Sequence, residues 1–411
     1  MNSKNKEIIA AIDIGSHSLK MKIAQINQNR DIKTIEDLRN PIPLGIDTFT
    51  NGFIRYESVR EVCRILEGYR RVLQDYGVER YQVVATNAIR EAKNKNFIVD
   101  QIQRKTGFSL KVLDASMARF LAYKAIRNNL ENYAQIRQEG AFLLSIGAGS
   151  SEISVYKNNQ LLFSQSIRIG SLRIREILSV LQKKTLDFYQ VLEEYVTSVL
   201  DVFELGRQLD EVKHFIAIGG EIANISRVCN RNKPEKLNTI DKLDYLNLYQ
   251  ELVLRSVNRF SSPITGQPNS NRKYFFINNP EVDLVKTYHI PQDMVDLFLP
   301  SMIIYKRFLE LSKADFIRLP LISFRDGILQ NLLEKRFPIS GPTYYREDII
   351  SSAWYLAHRY CCDIAHIKDV NDKALKLFDQ LKKIHGLGPR ERLLLEIAAI
   401  LHDTGKYIGL V

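Results

Sequence analysis

The sequence predicts an α/β protein built from two duplicated lobes around a shared cleft, followed by an all-helical segment. Three observations predict it. The run Ile8-Ile9-Ala10-Ala11-Ile12 enters a tip at Asp13, Gly15, Ser16, His17 and Ser18, and Leu19, Met21 and Ile23 then alternate with Lys20 and Lys22. The same order returns about 130 residues later, where Ala141–Ile146 leads through Gly147, Ala148, Gly149, Ser150 and Ser151 into an alternating strand with Glu152. A third strand, His214–Ile218, ends in Gly219-Gly220-Glu221. An apolar run reads as a buried strand and an alternating one as a half-buried strand, so each of the first two stretches is a hairpin. Internal repetition is read before a fold is assigned, and here it implies two equivalent lobes.

The elements follow in order. Residues 8–40 read as strands, ended by Pro41-Ile42-Pro43-Leu44-Gly45. Val59, Val62, Cys63, Leu66, Tyr69, Val72 and Leu73 fall on one face of a helix over 56–76. Strand Tyr81–Ala85 runs into Thr86-Asn87-Ala88-Ile89-Arg90, where Thr86 or Asn87 suits a helix cap. Residues 96–106 read as helix, Leu110–Leu113 as a short strand, and Asp114 as the cap of a helix to about Asn129. After the second hairpin come a strand at about 160–168 and helical segments over roughly 171–182 and 187–206. Residues 231–280 are polar and irregular, with Ser261–Asn269 read as loop, and 292–311 read as helix. Leu319–Leu329 closes the second lobe, Pro338–Pro342 reads as a linker, and the chain is helical from Arg346. The expected domains are 1–130, 131–337 and 343–411.

The glycine tips carry the chemistry. Glycine lets a backbone approach a ligand closely. Free N–H groups and hydroxyls at such a tip suit a phosphate, and a carboxylate beside them suits a divalent metal. A strand-to-helix glycine junction such as Gly219-Gly220 favours an anion in the same way. An ordinary turn or helix entry is the alternative at each tip, and the repeat favours the ligand-binding reading. Two such lobes facing each other clamp a phosphate chain from both sides.

The 411 residues carry a formal charge of +11, which suits an anionic partner. No basic run and no basic–aromatic motif marks a nucleic-acid binder, so no specific nucleic acid is expected. Cys63, Cys229, Cys361 and Cys362 lack zinc-like spacing and read as free thiols in a reducing compartment. No signal peptide is evident at the N-terminus and no apolar run spans a membrane, so a cytoplasmic protein is expected.

Five segments in order resemble the exopolyphosphatase and guanosine pentaphosphate phosphohydrolase family, of the actin, sugar-kinase and Hsp70 fold group, over roughly residues 7–335. They are Ala11–Ser18, Pro43–Phe49, Thr86–Asn94, Ser145–Glu152 and Ser323–Leu329. The resemblance implies ribonuclease-H-like, actin-like ATPase lobes. It also implies release of terminal phosphate from polyphosphate or guanosine pentaphosphate with Mg²⁺ or another divalent cation. Carried over, it gives phosphate contacts at Gly15, Ser16, His17, Ser18, Arg90, Gly147, Gly149, Ser150, Ser151, Gly219 and Gly220, with Asp13 and Glu152 as metal ligands and catalytic acids.

The sequence departs from the family at informative positions. The second-loop aspartate is Ser145, and the acids that precede an Ala-Arg pair, one of them the family's general base, are Ser116 and Met117 before Ala118-Arg119. The glycine–threonine continuation of the third junction is Glu221. Phosphoryl transfer is mostly positioning and charge stabilisation, and a general base adds about 10²–10⁴-fold. The expectation is therefore a hydrolase with impaired catalysis; the alternative is a weakly active or inactive polyphosphate- or nucleotide-binding regulator. A kinase or ATPase of the same fold group is a third, less favoured reading. Asp114, near the lost base, is a candidate substitute.

Residues 343–411 resemble the start of an HD-type helical domain, with His366 and His402-Asp403. The chain ends eight residues after Asp403, so the family's later aspartate is absent and an incomplete metal site is expected. The tail then reads as truncated, or as a helical remnant that docks on a partner subunit, as in a homodimer.

Overall fold

The structure is a computed structural model, and it describes residues 7–182, 188–203, 209, 212–257, 284–336 and 344–407. The loop at Ser261–Asn269 and the linker at Pro338–Pro342 lie outside the described residues.

Two mixed sheets form the two lobes. The first contains β1 (Glu7–Ile14), β2 (Ser18–Ile26), β3 (Ile32–Pro41), β4 (Arg80–Ala85) and β5 (Leu110–Val112), in the order β3-β2-β1-β4-β5. The second contains β6 (Ala141–Ile146), β7 (Ser151–Lys157), β8 (Gln160–Ile167), β9 (His214–Ile218), β10 (Thr239–Asp241) and β11 (Phe316–Arg318), in the order β10-β11-β9-β6-β7-β8. In each, a central strand pairs antiparallel with the next strand of a meander and parallel with a strand that returns after helices. The repeat seen in the sequence is thus a repeat of topology. β10 and β11 have only three residues each, too few to display an alternation.

The run Ile8–Ile12 is apolar throughout because both faces of the first sheet are covered. Ala10, Ile12 and Ile14 pack with Val59, Val62, Cys63 and Leu66 of helix Tyr56–Asp75, while Ile9 and Ala11 pack with Leu121, Ile328 and Leu329. Burial on two faces removes the polar positions that a half-exposed strand keeps. Strand β6 is covered in the same way, with Phe142 and Leu144 in one core and Ala141 and Leu143 in another.

Helix Ala115–Asn129 lies between the sheets. Its Leu121 faces the first sheet, and its Ala122 and Ile126 pack with Leu143 and Ile216 of the second. Helix Phe324–Arg336, which the sequence places at the close of the second lobe, packs against Ala115–Asn129 and β1. The crossing is close at Gly327, where any Cβ would sit 1.9 Å from the Leu121 carbonyl oxygen. The sequence misses this because Ile328, Leu329 and Leu333 show that the helix has an apolar face without showing which sheet covers it.

The tail is helical, with helices Tyr344–Arg359, Ile364–Gln380, Lys382–His385 and Pro389–Leu401. Tyr344–Arg359 lies along β8, and the tail's own small core is Ala353, Ala357, Ile367 and Ile400. No helix among the described residues is long and apolar enough to cross a membrane.

Candidate active site

The two hairpin tips have the same backbone turn. Gly15 N–H donates to the Ser18 carbonyl at 3.1 Å, and Gly147 N–H donates to the Ser150 carbonyl at 2.9 Å. They meet across a cavity of about 380 Å³ between the lobes. Of the residues expected at a phosphate site, Asp13, Gly15, Ser16, His17, Ser18, Arg90, Gly147, Gly149, Ser150, Glu152 and Gly219 line this cavity. Gly220 opens helix Gly220–Cys229, and the buried Ser151 turns its hydroxyl to the Ile169 carbonyl at 2.6 Å.

Close approach of the lobes requires glycine at Gly149, where a Cβ would lie 2.8 Å from Asn87 Cβ. Beside it Asn87 Nδ2 of the first lobe donates to Ser150 Oγ of the second at 2.8 Å, and Ser150 Oγ donates to Glu152 Oε1 at 2.9 Å. At Gly219 the backbone has φ +140°, and a Cβ would lie 2.6 Å from the Ile146 carbonyl oxygen.

The charges in the cleft fall into two groups. Lys22 pairs with Asp326 at 2.8 Å, Arg39 pairs with Asp293, and Arg325 pairs with Asp37. Arg90 donates to Asn87 Oδ1 and, at 3.0 Å, to the Leu113 carbonyl, and burial pulls its guanidinium pKa down. Among the described residues Lys20 alone of the lining cations has neither a hydrogen bond nor an ion pair. It lies opposite Asp13 in the β1–β2 register, as Glu152 lies opposite Ser145 in β6–β7. Burial pulls the Lys20 ammonium down, the Arg325 charge adds to that, and Glu221 and Asp13 oppose it.

Of the lining carboxylates, Glu152 also accepts from Ser166 Oγ at 2.7 Å and pairs with Arg119 at 3.4 Å. Asp13 is different: its Oδ1 is buried with no hydrogen-bond partner among the described residues, and burial pushes its carboxyl up against the charges of Lys20 and Arg325. A hard divalent cation suits such an oxygen. Asp114 is taken up locally, since it caps its helix by accepting from Met117 N–H at 2.7 Å. His17, expected at the phosphate, donates from Nε2 to the Asp293 carbonyl at 2.8 Å and so ties the first tip to the second lobe.

Residues 22–336 match the Ppx/GppA phosphatase family.

The chain belongs to the Ppx/GppA phosphatase family.

A crystal structure of the Aquifex aeolicus member of that family superposes with a TM-score of 0.61 at 20% identity, covering 81% of this chain and 99% of that one. An exopolyphosphatase from Cytophaga hutchinsonii gives 0.63 at 19% identity, covering 80% and 98%. The fold is therefore the actin-like two-lobe fold of Ppx/GppA proteins, with a helical segment after it. A bifunctional 3-dehydroquinate synthase/phosphatase of Fusobacterium nucleatum is 24% identical over 341 residues, which are 80% of this chain and 47% of that protein. A guanosine-5'-triphosphate,3'-diphosphate pyrophosphatase of Pseudoalteromonas atlantica is 24% identical over 171 residues, 42% of this chain and 33% of that protein. The chain thus spans less than half the length of these two relatives.

Sequence reasoning on this Ppx/GppA chain missed Lys20 and Arg39 as cleft residues. The register partner of Asp13 is readable from the hairpin length, and that signal would have found Lys20. In the tail, one ligand atom each from His366, His402 and Asp403 lies within 4.8 Å of the others. His402 donates from Nδ1 to the Ala399 carbonyl at 2.7 Å, which leaves Nε2 toward the cluster, while Lys406 already pairs with Asp403 at 2.8 Å.

Proposed function

We propose that this protein hydrolyses the terminal phosphoanhydride of inorganic polyphosphate or guanosine pentaphosphate in the cleft. The observation that carries the reading is the pair of matching glycine–serine turns, one from each lobe, on a single cavity that also holds an unpaired lysine. Backbone N–H groups and hydroxyls at the two tips would hold the terminal phosphates, and Lys20 would neutralise the adjoining part of the chain. Arg90, beside the Asn87–Ser150 bridge, would stabilise the transferred phosphate.

Mg²⁺ or another divalent cation would be held by Asp13 together with Glu152. It would supply charge neutralisation at the phosphate oxygens. The orphaned Oδ1 of Asp13 fits that task. Glu152 fits it less well, because Ser150, Ser166 and Arg119 already occupy its oxygens. Free thiols at all four cysteines are in keeping with a cytoplasmic setting.

A polyphosphate- or nucleotide-binding regulator with little turnover is the second reading. Ser145, Ser116 and Met117 favour it, because none of these side chains accepts a proton from water at neutral pH. Phosphate release from long-chain polyphosphate, with and without Mg²⁺, separates the two. The hydrolase releases phosphate only with the cation, and Glu152→Gln lowers the rate. Thermal stabilisation by polyphosphate with no release assigns the binder, and equal rates for wild type and Glu152→Gln remove Glu152 from the reaction.

A further inference from the structure

Among the described residues four carboxylates line the cleft: Asp13, Asp37, Glu152 and Glu221. Asp37 answers Arg325, and Glu152 accepts from two serines and an arginine. Asp13 is the oxygen donor best suited to a cation. That leaves Glu221. It stands in the first turn of helix Gly220–Cys229 and is only 7% exposed. Among the described residues its one hydrogen bond comes from the fully buried Ser171 Oγ, at 3.5 Å. That distance is long for a hydroxyl–carboxylate bond, which normally falls at about 2.5–3.0 Å. A buried carboxylate is ordinarily paired and well hydrogen-bonded. Glu221 therefore faces the cavity with most of its accepting capacity unused, at a helix end that favours negative charge.

Ser116 and Met117 stand where the family resemblance places carboxylic acids, and Asp114 is engaged as a helix cap. We propose that Glu221 is the catalytic residue that accepts the proton of the attacking water. The proposal rests on the hydrolase reading above. In the step, the water oxygen forms a bond to the terminal phosphorus as the bond from that phosphorus to the bridging oxygen breaks. The electron pair leaves with the shortened chain, and the water proton passes to the Glu221 carboxylate, which returns it to solvent after phosphate departs. Ser171 is a positioning residue that orients the carboxylate.

The test measures phosphate release from long-chain polyphosphate by wild type, Glu221→Gln, Glu221→Asp and Glu221→Ala. Thermal melts are recorded in parallel with and without polyphosphate. A general base is worth about 10²–10⁴-fold. Glu221→Gln is expected to lose at least about 10²-fold in kcat, while its melting temperature and its stabilisation by polyphosphate stay at wild-type values. Glu221→Asp should retain part of the rate, and formate should restore turnover to Glu221→Ala by supplying the missing base. A structural role for the side chain predicts no such rescue. An unchanged kcat in Glu221→Gln overturns the proposal, and so does a loss that tracks polyphosphate binding and is not rescued by formate. Absence of release by the wild type overturns the hydrolase reading, and the role of Glu221 with it.

Discussion

Asp293 shows how one side chain joins the lobes. Burial pushes its carboxyl up, but hydrogen bonds from His17 and Arg39 and the Arg39 charge outweigh burial and hold it well below the usual carboxylate range. A depressed carboxyl stabilises the fold above its unfolded value, about 3.9, and that contribution fades as pH falls toward the folded value. Asp293→Asn is expected to cost about 1.5–3 kcal/mol at neutral pH, the range for a hydrogen bond to a charged group. The gap between variant and wild type in thermal melts should close as pH falls below about 4. A gap that is constant with pH would show that the carboxyl charge is not what ties the lobes. None of this was legible in the sequence, because His17 and Asp293 are 276 residues apart and only folding brings them together.

The tips of β1–β2 and β6–β7 work as elements. Hairpin length, glycine placement and apolar pattern are local, so both tips were legible. Their contact was not, because the Asn87–Ser150 bond and the fit of Gly149 against Asn87 and Phe49 depend on how two separate lobes meet. Gly149→Ala would put a Cβ 2.8 Å from both Asn87 Cβ and Phe49 Cζ. Overpacking of this kind costs about 1–3 kcal/mol. The expected outcome is a lower melting temperature and weaker stabilisation by polyphosphate. An unaltered melt and unaltered stabilisation would mean that the tips do not need this close approach. The Asp114 cap was also legible, since capping is a matter of a few neighbouring residues.

At the scale of the whole molecule, helices Ala115–Asn129 and Phe324–Arg336 form the joint between the sheets, and a buried ion pair fixes the tail. Arg137, nearly inaccessible, pairs with Asp348 of helix Tyr344–Arg359 and donates to the Asn159 carbonyl at 2.6 Å. Its guanidinium lies 4.5 Å from the Tyr156 ring centre. Removing one partner of a buried pair costs about 3–5 kcal/mol, because the other charge is left uncompensated. Arg137→Met is therefore expected to lower the first unfolding transition in urea by that amount and to speed proteolytic cleavage between the second lobe and the tail. Unchanged cleavage would show that the apolar contacts of the tail on β8 suffice to hold it.

The sequence by itself determined the duplicated α/β lobes, the two glycine tips, the main helices and the helical tail. Each is written in patterns a few residues to a few turns long, where backbone preference and burial act locally. Tertiary structure alone decided which of those residues are free to act. It neutralised Lys22, Arg39 and Arg325 and left Lys20 without an ion pair among the described residues. It engaged Glu152 through Ser150, Ser166 and Arg119. It also brought Glu221 to the cavity wall. Whether a charge is available depends on the partner that folding sets beside it, and those partners come from distant parts of the chain.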